Sequence, residues 1–285
     1  MSYRIEKGES LASALGRIAA EEVDSALREL RRGNRNTAIH NVRKSIKRLR
    51  ALLRSLRVVF PEKLFRSEIQ RLGKAGRKIS PLRDVHVQLR MLGRLRAANN
   101  PLGGKIRRDL LRREESFARK IPALRTAVRG MLDDSRATIP SWPLDNTTPF
   151  TLAAGLVRIY KQGRKAFKTA SKNPSPGNLH EWRKKAKALG YGAELIECLV
   201  PRKFAKRMVK CQELGDALGD DHDLFMVLRA LAAAHKSQPA RDYAKLAERI
   251  SSQRAKLQKK AFRLGKAVYS EKARAFVKRL HRKLE

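Results

Sequence analysis

His40-Asn41-Val42-Arg43-Lys44-Ser45-Ile46-Lys47-Arg48-Leu49-Arg50 and His180-Glu181-Trp182-Arg183-Lys184-Lys185-Ala186-Lys187-Ala188-Leu189-Gly190 are one stretch written twice. Both fit His-x-x-Arg-Lys-x-x-Lys-x-Leu, at an offset of 140 residues. Four of the five shared positions are basic or histidine, so the repeated surface is cationic. The likeness spreads outward in both directions. Leu11, Ala12, Leu15, Arg17 and Ile18 recur as Leu152, Ala153, Leu156, Arg158 and Ile159. Pro61 and Lys63 recur as Pro201 and Lys203. Phe65, Asp84, Leu89, Arg90 and Leu92 recur as Phe204, Asp223, Leu228, Arg229 and Leu231. The order is kept and the offset drifts by only two residues, which points to an internal duplication. Solenoid repeats are far shorter than this period, so the doubled unit is a whole bundle. The expected division is a first helical repeat over 1–139, a linker over 140–149 and a second helical repeat over 150–285.

Apolar residues recur at helical spacing throughout, and no strand-like alternation competes. Helices are expected near 10–32, 36–59, 62–79, 83–97 and 101–120, then near 150–172, 177–199, 202–218, 222–235 and 239–267. A short last helix is expected over about 271–283. Gly33-Asn34, Pro61, Ser80-Pro81, Asn99-Asn100-Pro101, Pro174-Ser175-Pro176-Gly177, Pro201 and Pro239 punctuate them. The fold class is therefore all-α: two pseudo-symmetric antiparallel helical bundles.

On a helix, Ile39, Val42, Ile46, Leu49, Leu53, Leu56 and Phe60 gather on one side of residues 39–60. His40, Arg43, Lys44, Lys47 and Arg54 gather on the other, flanked by Arg48 and Arg50. Spacings of three and four bring these cations together, where they repel by a few tenths of a kcal/mol per pair unless an anion neutralises them. A solvated face usually mixes signs; this one does not, and it recurs as His180, Arg183, Lys184 and Lys187. The residue types suit phosphate. Arginine offers a planar fork of donors and lysine a compact point charge. A polyanion favours protonated histidine, which then donates from both nitrogens.

The chain has 285 residues, 66 Lys and Arg against 27 Asp and Glu, and a formal charge of +39. Solubility needs a net charge of only about 2–8. The excess selects a polyanion as partner: nucleic acid, inorganic polyphosphate or an anionic membrane. No run approaches the roughly 18 apolar residues of a membrane span, and the start at Met1-Ser2-Tyr3-Arg4-Ile5-Glu6-Lys7 lacks the apolar stretch of a signal peptide. Cys198 and Cys211 read as small, reduced core residues of a cytoplasmic protein.

With these rows in hand, the sequence resembles the CHAD domain, an α-helical family named for its histidines, over about residues 10–270. The first-half motif is met by His40, Arg43, Lys44, Lys47, Arg48 and Arg50, and an Arg-Asp pair that opens a later helix by Arg83-Asp84. In the second half His180, Arg183, Lys184, Lys187 and Tyr191 match, as does Leu-Gly-x-x-x-Asp at Leu218-Gly219-Asp220-Asp221-His222-Asp223. Gly190 stands where an arginine is usual and Ser80 where a glycine is usual. The resemblance implies a basic central cleft or channel between the two bundles. It also implies binding of inorganic polyphosphate, association with polyphosphate granules, and possible granule-associated protein partners. The expected ligands are His40, Arg43, Lys44, Lys47, Arg48, Arg50, Arg54, His180, Arg183, Lys184 and Lys187.

Asp216, Asp220, Asp221, His222 and Asp223 form the one acidic patch. Hard cations prefer carboxylates, yet aspartates before an apolar helix more often cap its amides, so no metal is expected. No cofactor motif is present, neither a phosphate-binding glycine loop nor a zinc pattern. Without metal-holding carboxylates, phosphoryl transfer has nothing to neutralise developing charge, and a non-enzymatic binder is expected. Nucleic-acid binding is the alternative. Against it, only 6% of residues are aromatic and none interleaves the basic rows, whereas single-strand binders stack bases on such residues.

Overall fold

Among the residues described by the computed structural model, 3–6, 8–32, 35–97, 100–197, 202–234, 240–272 and 274–276, there are eight long α-helices and no strand, and 274–276 are helical too. The eight are α1 (Leu11–Arg31), α2 (Arg35–Ser55), α3 (Glu62–Arg94), α4 (Pro101–Thr138), α5 (Pro149–Lys172), α6 (Pro176–Leu195), α7 (Arg202–Ala234) and α8 (Ala240–Val268). Several start where the sequence offers a cap. Ser10 accepts from Ser13 N, Asn100 from Leu102 N, Thr148 from Thr151 N and Ser175 from Asn178 N. Proline follows the last three caps at the first helical position, where its missing N–H is harmless.

Two expected breaks are absent. Ser80-Pro81 lies inside α3, and Asp220-Asp221-His222 lies inside α7. Proline in a helix forfeits a hydrogen bond and costs about 3 kcal/mol. Here Ile79, Leu82 and Val85 continue one buried face across it, and the Ser80 hydroxyl donates to the Gly76 carbonyl at 2.7 Å. In α7, Asp221 is buried against α8, where it accepts from Arg254 and Gln258. A turn-like sequence stays helical because its polar groups have partners. Asp84 and Asp223 also stand mid-helix, in the fields of nearby arginines: the reading of such aspartates as caps, and of Arg83-Asp84 as a helix start, is corrected. α4 runs past Pro122 to Thr138, well beyond the expected end near 120.

Helices α1 with α2, α3 with α4, α5 with α6 and α7 with α8 pair within each half, and α2 packs on α5 and α6, α3 and α4 on α7, between halves. One buried cluster runs from Tyr3 through Leu49, Leu53 and Leu56 to Trp182, Leu189 and Phe276. A second joins Val85, Leu92 and Leu102 to Leu224, Leu231 and Ile250. Neither core belongs to one half. The halves come close at Gly155 of α5, where an added Cβ would sit 1.8 Å from the Ser55 carbonyl oxygen. Only glycine lets these two backbones touch. The expected linker region holds two short 3₁₀ turns, Ile139–Ser141 and Leu144–Asn146, with Trp142 buried edge-on to Phe60 at 5.3 Å and Leu144 against α1. Cys211 is buried in α7. Cys198, Pro201, Pro239, Gly33-Asn34 and most of the expected last helix lie outside the described residues.

Candidate polyanion-binding site

The site is built where α2 and α6 meet α3 and α7. Arg43 and Lys47 of α2 lie within the fields of Arg183 and Lys187 of α6, and Arg83 of α3 joins them. The supporting helices cradle these side chains. Arg43 donates to the Gly76 carbonyl at 3.3 Å and to the Ser80 hydroxyl. On α7, Cβ atoms at Gly215 and Gly219 would fall 3.0 Å from the Lys187 stem and 3.6 Å from the Arg183 guanidinium. Gly76 and Ser80 precede Gly215 and Gly219 by the same 139 residues that separate Asp84 from Asp223. A small residue every four positions on one helix face makes the bed for a long cation on the next. Ser80 and Gly219 stand in the family motif, but their place beneath these cations, and that of Gly76 and Gly215, was not part of the expectation.

Cations dominate the electrostatics of this group. Burial, then Arg43, Arg183, Lys187 and Arg83, push the Lys47 ammonium down from 10.5 to about 7. Among the described residues Lys47 has no ion-pair partner. Burial also lowers Arg43 and Arg83, and Arg183 Nε is buried with no hydrogen-bond partner. Partial burial and the surrounding cations hold His40 and His180 below their ordinary value. His222, its ring 4.7 Å from that of His180, is pushed to about 4 by burial, Arg183, His180 and Arg254. The carboxylates inside the group are Asp84 and Asp223. Loss of water raises both, against the opposing pull of Arg43, Arg83 and Arg183.

The expected ligands do not all converge. Arg48 is turned away from the row: it bridges Glu22 at 2.8 Å and Glu194 at 2.5 Å and lies over the Tyr3 ring at 4.7 Å. This triple hold engages the guanidinium away from Arg43 and Lys47. Lys44 is exposed and lines a separate pocket of about 140 Å³ with Glu21, Glu22 and Glu29. Lys184 is exposed and paired with Glu181 at 2.5 Å. Lys187 reaches Asp216 at 2.7 Å. Arg50 and Arg54 continue the α2 row; burial lowers both, and Arg54 reaches about 10. The α6 row stops at Lys187, because Gly190 faces Cys211 on α7. Residues not expected here are Arg83, Arg90, Asp84, His222 and Asp223. With Thr37, His40, His86, Leu89 and Glu114, Arg83 and Arg90 also line a cavity of about 610 Å³ beside the row. The acidic patch is scattered over separate helix faces, and among the described residues no three of His, Cys, Asp and Glu form a metal-ligand set.

The Lys47 shift gives a signed expectation. Its folded value lies below its unfolded one, so between pH about 7 and 10.5 the unfolded chain holds a proton that the folded chain lacks. Stability of the free protein should therefore rise with pH across that window. A bound polyanion restores the charge, so binding at pH 8 should take up nearly one proton. Calorimetry in two buffers of different ionisation heat measures this, and Lys47→Met should abolish it. Binding without proton uptake would contradict the assignment.

Among the described residues, no helix is long and apolar enough to cross a membrane. No curated protein matches the chain. Two solved structures share its fold. The CHAD domain from the plant Ricinus communis has a TM-score of 0.56 at 19% identity, over 99% of this chain and 95% of that one. PptA from Streptomyces chartreusis has a TM-score of 0.63 at 16% identity, over 92% of this chain and 99% of that one. The family description "CHAD domain" matches residues 11–233, which include both basic rows and both glycine beds. The chain belongs to the CHAD domain family.

Proposed function

We propose that the protein binds inorganic polyphosphate along the row formed by His40, Arg43, Lys47, Arg50 and Arg54 of α2, with Arg83 of α3 and His180, Arg183 and Lys187 of α6. The observation that carries the reading is Lys47, half-buried among Arg43, Arg83, Arg183 and Lys187, with no ion pair among the described residues and Asp84 as the carboxylate in its field. Uncompensated buried charge is expensive, and a linear polyanion with one charge per repeat removes that expense along the whole row. Family membership supports the same ligand.

Binding without turnover goes with this reading. The row offers cations and largely neutral histidines. Its carboxylates, Asp84 and Asp223, face arginines. Attachment to polyphosphate granules would follow from the same affinity. Nucleic acid fits less well. The paired aromatic rings Trp182, Phe167, Tyr160 and Tyr269 pack against one another in the interior, so these four offer the row no stacking platform.

A salt titration tests the reading. Each phosphate neutralised on a flexible strand contributes about −0.7 to the log–log slope, so neutralising about six to ten phosphates gives about −4 to −7. A slope near zero would rule out this electrostatic mode. Incubation with long-chain polyphosphate and Mg²⁺ or Mn²⁺ tests the absence of turnover. Steady chain shortening by the pure protein would overturn it.

A further inference from the structure

Among the helices α1 to α8, α2 and α5 contain no acidic residue, and they pack against each other at Ser55 and Gly155. α2 carries the inner row, whereas α5 contributes none of its cations to that row. Of the six cations of α5, the half-buried Arg164 donates to the Tyr269 carbonyl, while the other five, Arg158, Lys161, Lys165, Lys168 and Lys172, are exposed. Spacings of three, four, three and four place them on one face, over about 21 Å at 1.5 Å per residue. None has an ion-pair partner among the described residues. The long outer helix α4, by contrast, mixes signs and pairs them, as in Arg112 with Asp109 and Arg129 with Asp133. Solubility does not require an unmixed face, and neighbouring like charges destabilise the helix that carries them.

The two acid-free helices are linked by cations. Arg54, near the end of the α2 row, lies in the field of Lys185 of α6. Burial and then Arg54 lower Lys185. Its ammonium donates to Gln162 at 2.9 Å, and Gln162 sits between Lys161 and Lys165 on α5. On the α2 side the row reaches Arg54 through Arg50, whose Nε is buried with no hydrogen-bond partner.

We infer that Arg54 and Lys185 carry a polyphosphate chain out of the row between α2 and α6 and onto the outer face of α5, where Arg158, Lys161, Lys165, Lys168 and Lys172 form an exit track. The inference rests on polyphosphate binding by the inner row. A face of mainly lysines, without aromatic or apolar residues among them, suits phosphate as a series of point charges. It neither reads bases nor inserts into lipid. The track makes the protein favour chains longer than the inner row, because the overhanging segment binds at high effective concentration.

The test compares short-chain with long-chain polyphosphate for the full chain and for Lys161→Gln/Lys165→Gln/Lys168→Gln. These positions are exposed and glutamine keeps helix propensity, so an unchanged melting midpoint is the folding control. For long chains the salt slope should fall in magnitude by about 2, at about −0.7 for each phosphate no longer neutralised. For short chains slope and affinity should stay as they are. Arg107→Gln/Arg113→Gln/Lys120→Gln, an equal loss of exposed charge on α4, should leave both unchanged. An unaltered long-chain slope in the α5 variant overturns the track, as does equal weakening of short and long chains or by the α4 variant. Failure of the inner row is separate: short chains would then ignore Lys47→Ala.

Discussion

Replacing Arg43 and Lys47 together by alanine is expected to weaken long-chain polyphosphate binding by more than about tenfold, and so is replacing Arg183 and Lys187. A hydrogen bond to a charged group contributes about 1.5–3 kcal/mol, and about 1.4 kcal/mol is a factor of ten. Removing two such bonds to phosphate from a desolvated row therefore exceeds that factor. The first variant should stay folded. Removing mutually repelling, largely buried cations relieves the free protein, and the Gly76 carbonyl keeps the Ser80 hydroxyl. Removing Arg112 and Arg113, exposed on α4, should change affinity far less. Titration of labelled polyphosphate at fixed salt decides between site and bulk charge. Equal losses in all three variants would mean that charge alone sets binding.

Arg48→Ala should act on stability instead. Glu22 and Glu194, with side chains 10% and 17% exposed, would be left without their counterion. Breaking a buried pair from one side costs about 3–5 kcal/mol. Denaturant unfolding should show a lower midpoint, and neutralising both acids in an Arg48→Met background should restore part of it. Affinity of the folded protein for polyphosphate should stay within about twofold, since Arg48 makes its hydrogen bonds to these two carboxylates. A stable variant with lost affinity would return Arg48 to the row.

Arg48 shows how far the sequence could be read. Its angular position on α2 flanks the cations, and its spacing fits the family motif. Nothing local reveals that Glu22 from α1 and Glu194 from α6 converge on it. The apolar face of α2 was legible, because Val42, Ile46, Leu49, Leu53 and Leu56 recur at helical spacing and all are buried. The continuity of α3 was not. Pro81 is a local break signal, overridden by burial on both sides of it that only the tertiary fold supplies. The same holds for Asp221, which looks like a turn or cap residue until Arg254 and Gln258 of α8 reach it. The histidines were only half legible. The positions of His40 and His180 were readable from the motif, whereas the approach of His222 to His180 depends on how α7 lies over α6.

The most direct measurement is a competition. Labelled polyphosphate bound to the full chain is challenged with unlabelled polyphosphate, duplex DNA, single-stranded DNA and RNA at equal phosphate concentration and fixed salt. The account predicts displacement by polyphosphate at concentrations where the three nucleic acids leave the complex intact. Equal displacement by any of them would contradict it.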